Sequence, residues 1–74
     1  MNVTQCRMAR AALDWTLDEL ARRSGVSRRT IVKFERGGNV LPENMETLRA
    51  TLVAAGVAFT NGGKRAGVSY LRRD

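Results

Sequence analysis

Residues 15 to 37, WTLDELARRSGVSRRTIVKFERG, constrain this chain more than any other stretch, because two short amphipathic segments meet there at a single glycine. A residue free to take positive φ lets a chain reverse within about three to four residues, and Gly25 stands where that reversal is needed. Thr16, followed three residues later by Glu19, reads as a capping box that opens a helix over about Leu17 to Ser24. Its inward residues are Leu20 and Ala21, with Asp18, Arg22 and Arg23 facing out. Ser27 caps the next helix, Arg28 to about Arg36, in which Ile31 and Phe34 recur three apart and make one buried stripe. The opposite face carries Arg28, Arg29, Val32, Lys33 and Arg36.

The flanking sequence supplies two more helices and a change of period. Residues 4 to 13 form a first helix with Thr4 as N-cap and Met8, Ala9, Ala12 and Leu13 as its apolar stripe, Arg7 and Arg10 lying off or beside it. Gly37-Gly38-Asn39 interrupts the third helix, and Pro42 suits the first turn of a fourth, residues 43 to 55, with Met45, Leu48, Leu52 and Ala55 inward. Gly56 ends it. Val57 to Thr60 and Val68 to Leu71 then read as short β-segments joined by the glycine-rich connection Asn61 to Gly67. An isolated two-stranded hairpin is marginal in water, so it must pack on the helices or pair with a second subunit; a disordered tail is the alternative. The expected fold is mainly α, a compact bundle of four helices over residues 1–56, with a C-terminal β-hairpin or strand tail over 57–74.

The chain has 74 residues, and one of this size buries only about 60% of the surface its unfolded form exposes, which argues against an enzyme with a deep pocket. Thirteen Lys and Arg against seven Asp and Glu leave a net charge of +6, which points to a polyanionic partner. Basicity alone does not separate DNA from RNA or an anionic membrane. Arg22, Arg23, Arg28, Arg29, Lys33 and Arg36 nevertheless crowd into one stretch and do not spread over the surface. The single Cys6 excludes an intramolecular disulfide and reads as an ordinary helix residue, and the absence of histidine removes the usual metal-ligand sets and general base. No metal, cofactor or catalytic residue is expected. The acids Asp14, Asp18, Glu19, Glu43 and Glu46 fall at caps, helix starts and exposed positions, and Trp15 reads as a core anchor. No apolar run approaches the length of about 18 residues for a membrane span, and no signal-peptide core precedes the first helix, so the expectation is a cytoplasmic protein with no membrane partner.

With the capping box, Glu19-Leu20-Ala21, Gly25, Val26-Ser27 and Ile31 to Gly37 all in register, the chain resembles the Cro/phage-repressor-type helix-turn-helix family, also called the xenobiotic-response-element regulators. The resemblance covers about residues 4 to 56. It implies operator binding, usually as a dimer, with the third helix in the major groove and the second crossing the backbone. It also implies a structural salt bridge between Arg10 and Glu35, tying the first helix to the end of the third. Ser27, Arg28, Arg29 and Lys33 fall where the family places its base and phosphate contacts. Arginine can donate two parallel hydrogen bonds to guanine O6 and N7, so Arg28 and Arg29, with Thr30 and Lys33, are the base-reading set, though either arginine alternatively grips phosphate. Thr16, Arg22, Arg23, Ser27, Arg36 and Asn39 are the phosphate-contacting set. Two positions depart from the family: Leu17 stands where many relatives have glutamine, and the loop of Gly38, Asn39, Val40, Leu41 and Glu43 has no cation.

The expected function is therefore sequence-specific regulation of transcription, by repression, through a homodimer on a palindromic operator in double-stranded DNA. An antitoxin-type protein with a toxin partner, or a module that binds nucleic acid without sequence preference, are the alternatives. Val53, Val57, Phe59, Val68, Tyr70 and Leu71, with Leu41, exceed what one small core can cover and are the expected dimerisation surface.

Overall fold

A computed structural model describes residues 1–71. Four helices come first, α1 (Val3–Leu13), α2 (Leu17–Ser24), α3 (Arg28–Glu35) and α4 (Pro42–Ala54), followed by strands β1 (Val57–Gly62) and β2 (Arg65–Tyr70). No described helix is long and apolar enough to cross a membrane.

Local chemistry accounts for most boundaries. Asn2, and not Thr4, caps α1: its side chain accepts the Gln5 amide at 2.8 Å, while Gln5 Oε1 accepts the Asn2 amide at 2.9 Å. The Thr16 hydroxyl accepts the Glu19 amide at 3.1 Å, but the returning half of that box is missing because Arg22 and Arg23 take the Glu19 carboxylate. Gly25 caps α2 at φ +77, a left-handed conformation that side-chain-bearing residues rarely adopt. After α3 the chain turns so tightly that the Gly38 amide bonds the Lys33 carbonyl at 2.9 Å, and a Cβ on Gly38 would lie 2.7 Å from Lys33 Cγ.

The core is Cys6 and Ala9 of α1, Leu20 of α2, Val26, Ile31 and Phe34 around α3, Leu48 and Leu52 of α4, and Val57 of β1. Ile31 and Phe34 turn α3 onto α1 and α2, so its other face stays open. Val57 therefore leaves the expected dimer surface: at 3% exposure it is a core residue, and Phe59 and Val68 pack against the same core.

The hairpin is longer and its turn tighter than the glycines suggested. Asn61 and Gly62 extend β1, Arg65 to Gly67 extend β2, and Gly63-Lys64 alone make the turn. Gly63 takes φ +62 at the first central position, where a type II′ turn needs glycine. The register pairs Phe59 with Val68 and Thr60 with Gly67, which puts Val57, Phe59 and Val68 on one face and Thr60 on the other. Gln5 fastens the sheet to α1: its Nε2 donates to the Thr60 carbonyl at 3.1 Å and the Gly67 carbonyl at 3.0 Å, with the side chain 1% exposed. This solves the marginal stability of a lone hairpin within one chain.

Candidate nucleic-acid interface

The third helix sorts its charges by face. Arg28, Arg29 and Lys33 are exposed, and Arg36 stands exposed at its C-cap. Its one acid, Glu35, points inward at 6% exposure. Arg10 Nε and Nη2 each donate to the Glu35 carboxylate at 2.7 Å, and Arg10 Nη1 donates to the Trp15 carbonyl at 3.1 Å. The Glu35 bonds come first among the influences that raise the Arg10 guanidinium further above its ordinary range. Arg7 adds a donation to the Glu35 backbone carbonyl. One buried carboxylate thus holds α1 against the end of α3 and leaves the outer face of α3 without an acid of its own.

Cys6 belongs to the same cluster. Its thiol lies 3.5 Å from Glu35 Oε2 and is fully buried. Burial, then the charge of Glu35 and the hydrogen bond to it, push its pKa up to about 12, so it is no thiolate at neutral pH.

The remaining candidates divide into free and engaged groups. Ser27 caps α3: its hydroxyl accepts the Thr30 amide at 3.2 Å and donates to Thr30 Oγ1 at 2.9 Å, which leaves the Thr30 hydroxyl hydrogen to give. Arg22 and Arg23 share Glu19 at 2.7 and 2.8 Å, and the Arg23 guanidinium lies 4.5 Å over the Trp15 ring. Hydrogen bonds from Arg22 first and Arg23 second hold the Glu19 carboxyl below its ordinary range. These two arginines present a net single positive charge with Glu19. Arg28 pairs across the turn with Asp18, Nε to Oδ1 at 2.9 Å. Among the described residues, Arg29, Lys33 and Arg36 have no carboxylate within 4.0 Å. Thr16 and Asn39 are exposed, and Asn39 edges a recess of about 390 Å³ with Thr30, Lys33 and Val40 to Pro42.

Sequence reading missed three of these features. Gln5 was legible as the N3 partner of an Asn2 cap, but its bonds to the hairpin span more than 50 residues. Arg7 has no local sign of its contact with Glu35. The Asp18–Arg28 pair depends on how α2 and α3 cross.

A larger groove of about 640 Å³ runs beside α4, lined by Trp15, Arg23 and residues including Thr47, Ala50, Thr51 and Ala54. The Thr47 and Thr51 hydroxyls donate to the Glu43 and Thr47 carbonyls of their own helix. The groove's polar side chains are thus largely engaged by the protein itself.

A helix-turn-helix family model matches residues 7–52, more than half of the chain and all of α2 and α3. Comparison with curated proteins gave no match.

Proposed function

The chain belongs to the Cro/C1-type helix-turn-helix family of DNA-binding regulators, and from that premise we propose that it is a repressor, binding a palindromic operator as a homodimer. The observation that carries this reading is the outer face of α3, from which the single acid has been turned inward. An α-helix is about 10–12 Å across with its side chains and fits a major groove about 12 Å wide, along which the eight residues of α3 extend about 12 Å. In this reading Arg28, Arg29, Thr30 and Lys33 face base edges. Thr16, Ser27, Arg36 and Asn39 hold phosphates, joined by whatever share of Arg22 and Arg23 the Glu19 carboxylate releases.

The homodimer contact is assigned to Val53, Tyr70 and Leu71. Tyr70 and Leu71 are 39% and 67% exposed, and Val53 is 43% exposed. Gly56 joins them: its amide bonds the Val53 carbonyl at 3.0 Å, and its carbonyl accepts the Leu71 amide at 2.9 Å. The C-terminal end of α4 and the open end of the hairpin thus make one apolar patch. Two half-sites lie about 34 Å apart along one DNA face in such dimers. Repression follows because occupancy of an operator blocks other proteins from the same DNA.

Selection from random duplexes tests the reading. A palindromic motif is expected, and Arg28→Ala or Arg29→Ala is expected to relax preference at particular positions, at about 1–3 kcal/mol of discrimination each. No enriched motif, or equal losses on all duplexes, would assign the protein to sequence-independent binding instead. Val53→Asp with Tyr70→Asp should shift light scattering from dimer to monomer, and a dimer that survives would move the contact elsewhere.

A further inference from the structure

Asp18 and Arg28 come from different helices and meet across the turn, Nε to Oδ1 at 2.9 Å. The position of Asp18 in the first turn of α2 is explained by the helix dipole, but its contact with Arg28 is not. Arg28 is the first residue of α3, and its side chain is 59% exposed. A long, exposed arginine at a helix N-terminus has many rotamers open to it and no favourable dipole to hold it. A carboxylate 2.9 Å from Nε restricts those rotamers through charge, and leaves Nη1 and Nη2 unused. Two donors side by side are what guanine O6 and N7 accept.

We propose that Asp18 is a positioning residue for base recognition: its carboxylate, ion-paired with Arg28 across the turn, biases the arginine toward a rotamer whose two terminal nitrogens reach a base edge, and so sets discrimination at the base pair that Arg28 reads. This rests on the reading of α3 as the recognition helix. Arg29 has no carboxylate within 4.0 Å among the described residues, so its contact is unsupported by comparison. Asp18 also places a negative charge beside a polyanion, which weakens binding to every duplex. The two effects have different signatures, one on the ratio between sequences and one on affinity for all of them.

Both are measured by titrating the full chain against the selected duplex, single-base variants of it, and a random duplex. Asp18→Ala is expected to tighten binding to the random duplex and to lower the ratio at the Arg28 position by about two- to fivefold, the span an exposed ion pair supports. Asp18→Asn also removes the charge that holds Arg28, so it should match Asp18→Ala on both measures, whereas Asp18→Glu keeps the charge and should leave both near the parent values. In an Arg28→Ala background, Asp18→Ala should change no ratio. One common factor on all duplexes, or a ratio effect that persists without Arg28, overturns the proposal. If Arg28→Ala itself leaves every ratio unchanged, the base-reading role of Arg28 falls and the proposal with it. If Arg28→Ala relaxes one position and Asp18→Ala does not, only the positioning role falls.

Discussion

Glu35→Ala removes the carboxylate on which α1 and α3 converge, and the structure sets the size of the effect. Arg10 loses two hydrogen bonds of 2.7 Å and keeps one, at 3.1 Å, to the Trp15 carbonyl. Cys6 loses its partner, and the exposed Arg7 loses an ion pair of 3.7 Å worth little by itself. Removing one member of a buried pair costs about 3–5 kcal/mol because the other charge is left unpaired. Arg10 is 20% exposed and water can reach it, which places this loss at the lower end, about 3 kcal/mol. A domain of this length has a total stability of roughly 4–11 kcal/mol, so the variant stays folded on a much reduced margin. Its thermal midpoint should fall by roughly 12–24 °C, and its urea midpoint should fall with an unchanged slope. Arg10→Ala together with Glu35→Ala should cost much less than the sum of the two, because it removes the orphaned cation along with its partner. A loss under about 1 kcal/mol, or strict additivity in that cycle, would refute the reasoning.

Four further outcomes follow from the same structure. Gln5→Leu should cost about 1–3 kcal/mol through the two hydrogen bonds it loses to hairpin carbonyls that keep their ladder partners, and should speed hydrogen exchange in β1 and β2 before that in α4; equal acceleration everywhere would count against a tether. Cys6 should resist thiol reagents at neutral pH until denaturant is added. Its folded pKa is raised, so its contribution to stability is full below the ordinary thiol value of 9.0 and is lost as pH climbs from there toward about 12, a loss that Cys6→Ala should abolish in alkaline melts. Leu48→Ala, at a fully buried site, should cost about 2–5 kcal/mol in urea titration, and a cost below that range would mean that the core collapses into the cavity. Gly25→Ala should cost about 1–2 kcal/mol from φ +77 alone, since nothing lies within 4 Å of the added Cβ; a neutral result would show that the turn relaxes.

What proved legible in the sequence is what neighbours along the chain decide. The Thr16 and Ser27 caps, the Gly25 reversal, the Ile31 and Phe34 stripe and the Pro42 start all depend on residues within about one helical turn, and all stand where the sequence places them. The Gly63-Lys64 turn was less legible, because several glycines permit several turns and the inward packing of Phe59 and Val68 selects one register. The first cap was misplaced by two residues for a local reason: Thr4 and Asn2 both suit an N-cap, and the reciprocal bond from Gln5 favours Asn2.

By itself, then, the sequence determined four helices, a reversal at Gly25 and a cationic face on α3, because charge, period and capping are carried by the residues themselves. Only the tertiary structure decided which charges remain free. Asp18 meets Arg28 across the α2–α3 crossing and Arg7 joins Glu35, whereas the pairs of Glu19 with Arg22 and Arg23 lie within one turn of α2 and the Arg10–Glu35 pair was implied by the family resemblance. The tertiary structure also moved Val57 from the surface to the core and fastened the hairpin to Gln5. The reason is distance in the chain: most of these contacts join residues far apart in sequence, whose meeting depends on the angle at which already formed elements pack.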